Sequence, residues 1–234
     1  MKFRCERDAL VEQLSTASRA VSSRGGALPV LTGIHLKAHK DVLTMTGSDL
    51  EITVRASVPV AVTESGEAVL PSRIAVDIIR SLDSGAIEVE VAGEEAKISG
   101  GRSQFSVRTL PVDDFPSLSD PKGDEVTVST ADLAAGLKQV VRAASGDDAR
   151  PILTGVLMSA EDGGLRLVAT DSYRLAVRDL PEATVLSEGQ KVLVPSRALD
   201  ELGRVLGDSE EVTVRLGERE VSFDVTVDDG EVQV

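Results

Sequence analysis

At 234 residues with 41% apolar content, the chain has hydrophobic material for one large domain or two ordinary ones. A net charge of −14 argues against wholesale wrapping of nucleic acid, and aromatics at 2% with no Trp argue against a protein that reads bases by stacking. The single Cys5 excludes a disulfide framework within one chain and suits a reducing compartment; the Met-Lys-Phe-Arg-Cys-Glu start has no apolar leader, and no apolar run would span a bilayer. Together these predict a soluble, cytoplasmic protein.

In chain order, Leu10, Leu14, Ala17 and Val21 form an apolar stripe that predicts a helix over 7–22, stopped by Ser22-Ser-Arg-Gly-Gly26. Apolar runs and alternation then predict strands at 31–38, 42–47 and 51–61, with turns near Lys40-Asp41 and Ser48-Asp49, a loop at 64–67 and a short strand at 68–70. Ser72 is the expected N-cap of a helix over 72–82 with Ala75, Ile78, Ile79 and Leu82 inward, followed by strands at 86–91, 95–99 and 103–110. The Pro- and Asp-rich stretch from Pro111 to Asp124 reads as a connector. Beyond it the same plan returns: a helix over 130–144 capped by Ser129 or Thr130, strands at 152–160, 165–169 and 174–179, a helix over 196–206, and strands at 211–216 and 220–227. The final strand is expected to be cut partway at Gly230–Val234, as in a fragment of a longer chain.

The return is literal. Leu-Pro-Val-Leu-Thr-Gly at 28–33 is echoed by Arg-Pro-Ile-Leu-Thr-Gly at 150–155, so that Pro29 falls on Pro151, Gly33 on Gly155 and Asp49 on Asp171, each pair 122 residues apart. Val-Leu-Pro-Ser-Arg at 69–73 recurs as Leu-Val-Pro-Ser-Arg at 193–197, an offset of 124. A constant offset held across a turn marks one structural unit written twice. The boundaries expected are a first domain at 1–118, a linker at 119–124 and a second domain at 125–234.

Reactive constellations are scarce. His35 and His39, the only histidines, are four apart in a stretch that reads as strand and turn, which does not converge them on a metal; both are expected to be simple surface residues. Asp49 and Asp171 fit a tight turn in which Asp bonds its own backbone. There is no Ser-His-Asp order, no phosphate-binding Walker loop and no GxGxxG. Charge is unevenly distributed: the four helical segments hold eight Lys/Arg against six Asp/Glu, the remainder 17 against 33. Helix propensity favours Glu as well as Arg and Lys, so the skew points to mildly basic helices on an otherwise acidic molecule.

On these residues the chain resembles the bacterial sliding clamps, the β subunits of DNA polymerase III. The likeness covers the whole chain: Met-Lys-Phe at the start, Leu-Pro-Val-Leu-Thr-Gly, Val-Leu-Pro-Ser-Arg, the Leu-Pro-Val-Asp-Asp-Phe-Pro connector, and above all Ala169-Thr-Asp-Ser-Tyr-Arg-Leu-Ala176, similar to the family's Ala-Thr-Asp-x-x-Arg-Leu-Ala signature. The resemblance implies an α+β DNA-clamp fold of tandem similar domains, each made of two helix-plus-antiparallel-sheet halves, with helices on the concave face and sheets outside. It implies three domains per subunit, the third absent here, and two subunits self-associating into a homodimer ring around double-stranded DNA, without a cofactor, catalysis or a membrane.

Arg24 and Arg73 stand at family positions for DNA contact, followed by Lys138, Arg142, Arg150, Arg197 and Arg204. A partner-peptide groove would use Leu153, Thr170, Ser172, Tyr173, Arg174 and Leu175, and would dock short apolar motifs of the DNA polymerase III α subunit, the clamp loader and repair polymerases. Family members often carry Gly-His or Arg-Phe where this chain has Ser172-Tyr173, which bears on motif preference. Two readings compete: a two-domain clamp that closes as a trimer, and, remotely, a hydrolase or metal enzyme.

Overall fold

The computed structural model describes residues 1–22, 28–118, 124–161, 164–180, 189–207, 209–217, 220–227 and 230–234. Two units separate: Met1–Leu118 with the terminal strand, and Ser119–Val227 with Val234.

Unit 1 runs β1 (Lys2–Glu6), α1 (Arg7–Ala17), β2 (Gly33–His39), β3 (Val42–Ser48), β4 (Thr53–Pro59), β5 (Ala61–Glu64), β6 (Gly66–Pro71), α2 (Ser72–Ser81), β7 (Ala86–Ala92), β8 (Glu95–Gly100) and β9 (Ser103–Arg108). Unit 2 runs β10 (Asp124–Ser129), α3 (Thr130–Val140), β11 (Gly155–Glu161), β12 (Gly164–Thr170), β13 (Leu175–Leu180), β14 (Lys191–Pro195), α4 (Ser196–Val205), β15 (Glu211–Leu216) and β16 (Val221–Val227). The terminal strand β17 (Gly230–Gln233) lies antiparallel on β4, with Val232 opposite Ala56.

Each of the four helices is led by a strand, β1, β6, β10 or β14, where the expected plan was a helix followed by three strands. The sequence reading missed the leading strands β1, β10 and β14. Each is only five or six residues long, and the alternation of β1, with Phe3 and Cys5 inward between charged neighbours, is too brief to stand out.

In unit 1 the ladder β6-β2-β3-β4 carries β17 at its far edge, and β5-β1-β7-β8-β9 forms a second sheet. In unit 2 β14-β11-β12-β13 is one sheet, and β15 pairs with β10 and β16. Helix α1 packs on β3 and β4, and α3 on β12 and β13; α2 touches α1, and α4 touches α3. Leu10 and Leu14 of α1 are buried, as are Leu43 and Met45 of β3 and Val54 of β4, the strands on which α1 packs; Leu133 and Leu137 of α3 are buried, as are Leu165 and Leu167 of β12, on which α3 packs.

The two copies share their register. His35 lies opposite Thr46 and Val69, and Thr46 opposite Arg55; Leu157, Val168, Leu193 and Val177 repeat those pairings residue for residue. Gly33 and Gly155 are required by it: a Cβ would lie 2.9 Å from the Leu70 carbonyl oxygen in one copy and 2.8 Å from that of Val194 in the other.

Several expected boundaries move. Residues 29–32 and 151–153 form 3-10 turns rather than strand starts, because Pro29 and Pro151 fix φ at the head of each turn. The first helix ends at Ala17 and continues as a 3-10 turn over Ser18–Ala20. Ser129 does cap α3, accepting from Asp132 N at 3.3 Å, but Ser72 is already helical and Pro71 occupies the cap of α2. The loop expected at 64–67 is almost all strand: Glu67 faces out of β6 and pairs with Lys37 at 2.9 Å, so a polar run that reads as a loop is a solvated strand face. The last strand is shorter than β9, yet its ladder is not left open, since β17 is paired along β4.

Candidate functional site

The expected DNA-contact residues do not share one setting. Arg24 lies outside the described residues. Arg73 in the first turn of α2, Lys138 near the end of α3 and Arg142 in the following 3-10 turn are exposed, and among the described residues they have no ion-pair partner. Arg197 is exposed in the first turn of α4, whereas Arg204 is held by Glu201 at 2.8 Å one turn earlier. Arg150 is not on a helix: it pairs with Asp147 at 3.0 Å and reaches the Ser172 hydroxyl at 3.4 Å, which puts it beside the expected peptide groove.

One helical cation has a structural task. Arg7 donates to the carbonyls of Leu82 and Arg80 at 3.1 and 3.0 Å, satisfying acceptors at the C-terminal end of α2. A charge count along the sequence cannot separate such a residue from the exposed ones.

The groove candidates gather around one turn. Asp171 Oδ1 accepts from the N–H groups of Tyr173 and Arg174, both at 2.9 Å, and its Oδ2 takes Arg174 Nε at 3.0 Å. Those backbone donors, with Arg174 beside them, hold the Asp171 carboxyl below the usual carboxylate range. Thr170 Oγ1 donates to the Arg174 carbonyl at 2.7 Å and accepts from Ser172 N–H at 3.1 Å. Ser172 is left with φ 79°, in the left-handed region.

The result projects Tyr173, 94% exposed, and Leu175 into solvent; Leu153, at the end of the Pro151–Leu153 3-10 turn, is half-buried. Asp49 builds the same turn in unit 1, accepting from Glu51 and Ile52, with Leu50 at φ 74°. Both aspartates are therefore turn builders, as the sequence suggested.

Around this turn the structure exposes further apolar residues that sequence reasoning missed: Ile152, Val177 and Leu193. Their signal was available in the near-continuous apolar strands of unit 2, whose residues alternate between two faces and leave one of them bare.

His35 differs from its expectation as a simple surface residue. Its ring stacks on Phe115 with centroids 5.1 Å apart and its Nε2 meets Glu67 at 3.2 Å; burial lowers its pKa against the pull of that carboxylate. His39 is exposed. Among the described residues no three His, Cys, Asp or Glu side chains converge as metal ligands, and no helix is long and apolar enough to cross a membrane.

Comparison with known proteins gives the family. Residues 1–119 match the N-terminal domain of the DNA polymerase III beta subunit, and residues 127–231 its central domain. The beta sliding clamp of Streptomyces coelicolor is 35% identical over 219 residues, covering 92% of this chain and 57% of the relative. That of Staphylococcus aureus is 34% identical, covering 96% and 62%. A DNA polymerase sliding clamp from Bacillus subtilis superposes with a TM-score of 0.90 at 32% identity, over all of this chain and 63% of the other; the subunit from Pseudomonas aeruginosa does so with 0.90 at 31%, over 100% and 64%. The chain thus spans about three fifths of the length of the curated relatives it matches. Two family domains matched in order, on a fold whose halves repeat in register, establish that this chain belongs to the DNA polymerase III β-subunit family.

Proposed function

We propose that the chain is part of a cytoplasmic, non-catalytic sliding clamp, a ring that encloses duplex DNA and tethers the replicative polymerase. The observation that carries this reading beyond family membership is the set of exposed cations Arg73, Lys138 and Arg142 on or beside helices, without an ion-pair partner among the described residues, in a molecule of net charge −14. Enclosure removes the need for tight binding. A few spaced cations contact phosphates without reading sequence and let the ring slide, while the acidic remainder prevents non-specific adhesion. Arg24 and Arg197 belong to the same proposed DNA face; Arg204 contributes less because Glu201 neutralises it. Helices line the inner wall of the ring in this reading, and sheets the outside.

The Asp171 turn is the proposed dock for short apolar peptides of the polymerase III α subunit, the clamp loader and repair polymerases. Leu153 and Leu175 supply apolar contact, Tyr173 a ring with a polar tip, and Thr170, Ser172 and Arg174 polar groups around them.

The test is the salt dependence of duplex binding, measured by anisotropy with labelled DNA of several sequences. Each lost phosphate contact reduces the log–log slope by about 0.9, so replacing Arg73, Lys138 and Arg142 together by Glu should lower it by up to about 2.7, equally for all sequences. Arg102→Glu, at an exposed position between β8 and β9, is the control. An unchanged slope in the triple variant, or an equal loss in the control, rejects this DNA face.

A further inference from the structure

In unit 1 residues 110–118 lie as a strap across the outward row Val69–His35–Thr46–Arg55, whose members on β2, β3 and β4 alternate with buried Leu36, Met45 and Ala56. Leu110 N–H donates to the Val69 carbonyl on β6 at 2.8 Å. Leu110, Val112 and Phe115 pack on Val30, Leu31 and Val69, and Arg55 donates to the Leu118 carbonyl. In the middle, Phe115 lies on the His35 ring, with centroids 5.1 Å apart and planes 21° from parallel. The strap thus presses on a titratable ring, at the position where unit 2 has Leu157.

The charges around that ring do not offset its burial. Its side chain is 18% exposed. Glu67, on β6, meets Nε2 at 3.2 Å, but Lys37 holds the same carboxylate at 2.9 Å, and its ammonium opposes a second positive charge close by. On β3 the residue opposite is uncharged Thr46. On β4 it is Arg55, whose guanidinium is engaged by the Leu118 carbonyl and by Gln233 Oε1. The strap brings Asp113 and Asp114, both exposed in the 3-10 turn that precedes Phe115. Burial prevails and holds the ring's pKa below that of a free histidine, against the pull of Glu67. A neutral ring can lie under Phe115, whereas an imidazolium is better solvated with the strap lifted.

We propose that residues 110–118 are a proton-sensitive strap: a proton taken up by His35 releases Phe115 from the ring, and the segment lifts from the sheet as pH falls. Leu118 is the last residue of unit 1 before Ser119 of unit 2, so release lengthens the free covalent link between the units. The closed strap binds the proton less readily than the open one. Closure is therefore fully favoured above about pH 6.5 and weakens below it, by at most about tenfold per pH unit for one proton. None of this depends on a ring or on DNA.

The experiment is hydrogen exchange on the full chain between about pH 7.5 and 5.5, with each rate corrected for intrinsic exchange. The readout is the Leu110 amide, bonded to the Val69 carbonyl, with the amides of β3 as reference. Its opening constant should rise toward acid by up to about tenfold, while those of β3 change less. His35→Leu should leave strap opening independent of pH. Glu67→Gln removes the carboxylate that favours the charged ring, and should steepen the dependence. Strap opening that is flat with pH, that parallels β3, or that keeps its pH dependence in His35→Leu overturns the proposal, as does a Glu67→Gln effect equal at every pH. Protection that increases toward acid would mean that Glu67 and the face of Phe115 retain the imidazolium, and likewise overturns it.

Discussion

Replacing Ser172 by Gly should stabilise unit 2, and the size of the effect follows from its backbone. Ser172 sits at φ 79°, where an L-residue costs roughly 1–2 kcal/mol through the contact of its Cβ with the carbonyl. Glycine removes that cost but gives back about 0.5–1 kcal/mol in unfolded-chain entropy. The hydroxyl's long contact with Arg150, 3.4 Å at an exposed site, adds little to lose. The net gain is about 0.5–1 kcal/mol, a rise of roughly 2–5 °C in the melting temperature of a unit this size.

Leu50→Gly provides the matched comparison at φ 74° in unit 1. There the lost side chain still covers some apolar surface, so its gain should be smaller. Urea unfolding gives the stabilities, and exchange of amides in β12–β13 against those in β3–β4 assigns each change to its unit. A Ser172→Gly variant that is no more stable, or is less stable, would refute the strain argument. The turn would then be governed by the Asp171 and Thr170 hydrogen bonds alone.

Gly155→Ala places a methyl group 2.8 Å from the Val194 carbonyl oxygen and should cost about 2–3 kcal/mol in urea unfolding, with Gly33→Ala close behind at 2.9 Å from Leu70. His35 has its pKa lowered first by burial, so the unfolded chain binds its proton more readily than the folded one. Stability should accordingly fall as pH drops below the unfolded value of about 6.5, and His35→Leu, the residue unit 2 uses at that position, should flatten the melting temperature between about pH 7.5 and 5.5. Burial pushes the Cys5 thiol up to about 12, so its alkylation in the native protein should proceed only at the rate of unfolding and accelerate sharply in urea; prompt labelling at neutral pH would contradict its burial.

The division between what the residues disclosed and what they concealed has a physical basis. The Asp49 and Asp171 turns were legible because each carboxylate bonds amides two and three positions onward, entirely within its own segment. The helix stripes were legible for the same reason, although α1 also buries Gln13, whose Oε1 has no partner among the described residues. Long-range contacts were not. Nothing near His35 announces that Phe115, 80 positions away, will lie on its ring, and nothing near Arg150 announces Ser172. Arg7 looks like any helical cation until its guanidinium is seen on the α2 carbonyls. A sequence reading registers how many charges a helix carries; only packing decides which remain available to a ligand.

The repeat turns that division into an internal control. Gly33 and Gly155 are the same residue because the approach of the neighbouring strand leaves no room for a Cβ at either place. Asp49 and Asp171 are the same because each turn needs the same acceptor. Leu50 and Ser172 differ although both are in the left-handed region, so the shared backbone is imposed by the turn and not by the residue in it. On the outward row no backbone demand applies, and there the copies part: Val69, His35, Thr46 and Arg55 in one, Leu193, Leu157, Val168 and Val177 in the other. One row has become polar beneath a segment of its own chain, where His35 and Arg55 find partners in Phe115 and Leu118. The other has stayed apolar in solvent, at a standing cost of about 25 cal/mol per Å² of exposed apolar surface that burial would recover. Leu193 and Val177, exposed on the two edge strands, and half-buried Leu157 and Val168 between them answer to no backbone constraint, so it is side-chain chemistry and not the turn or the ladder that separates the two rows.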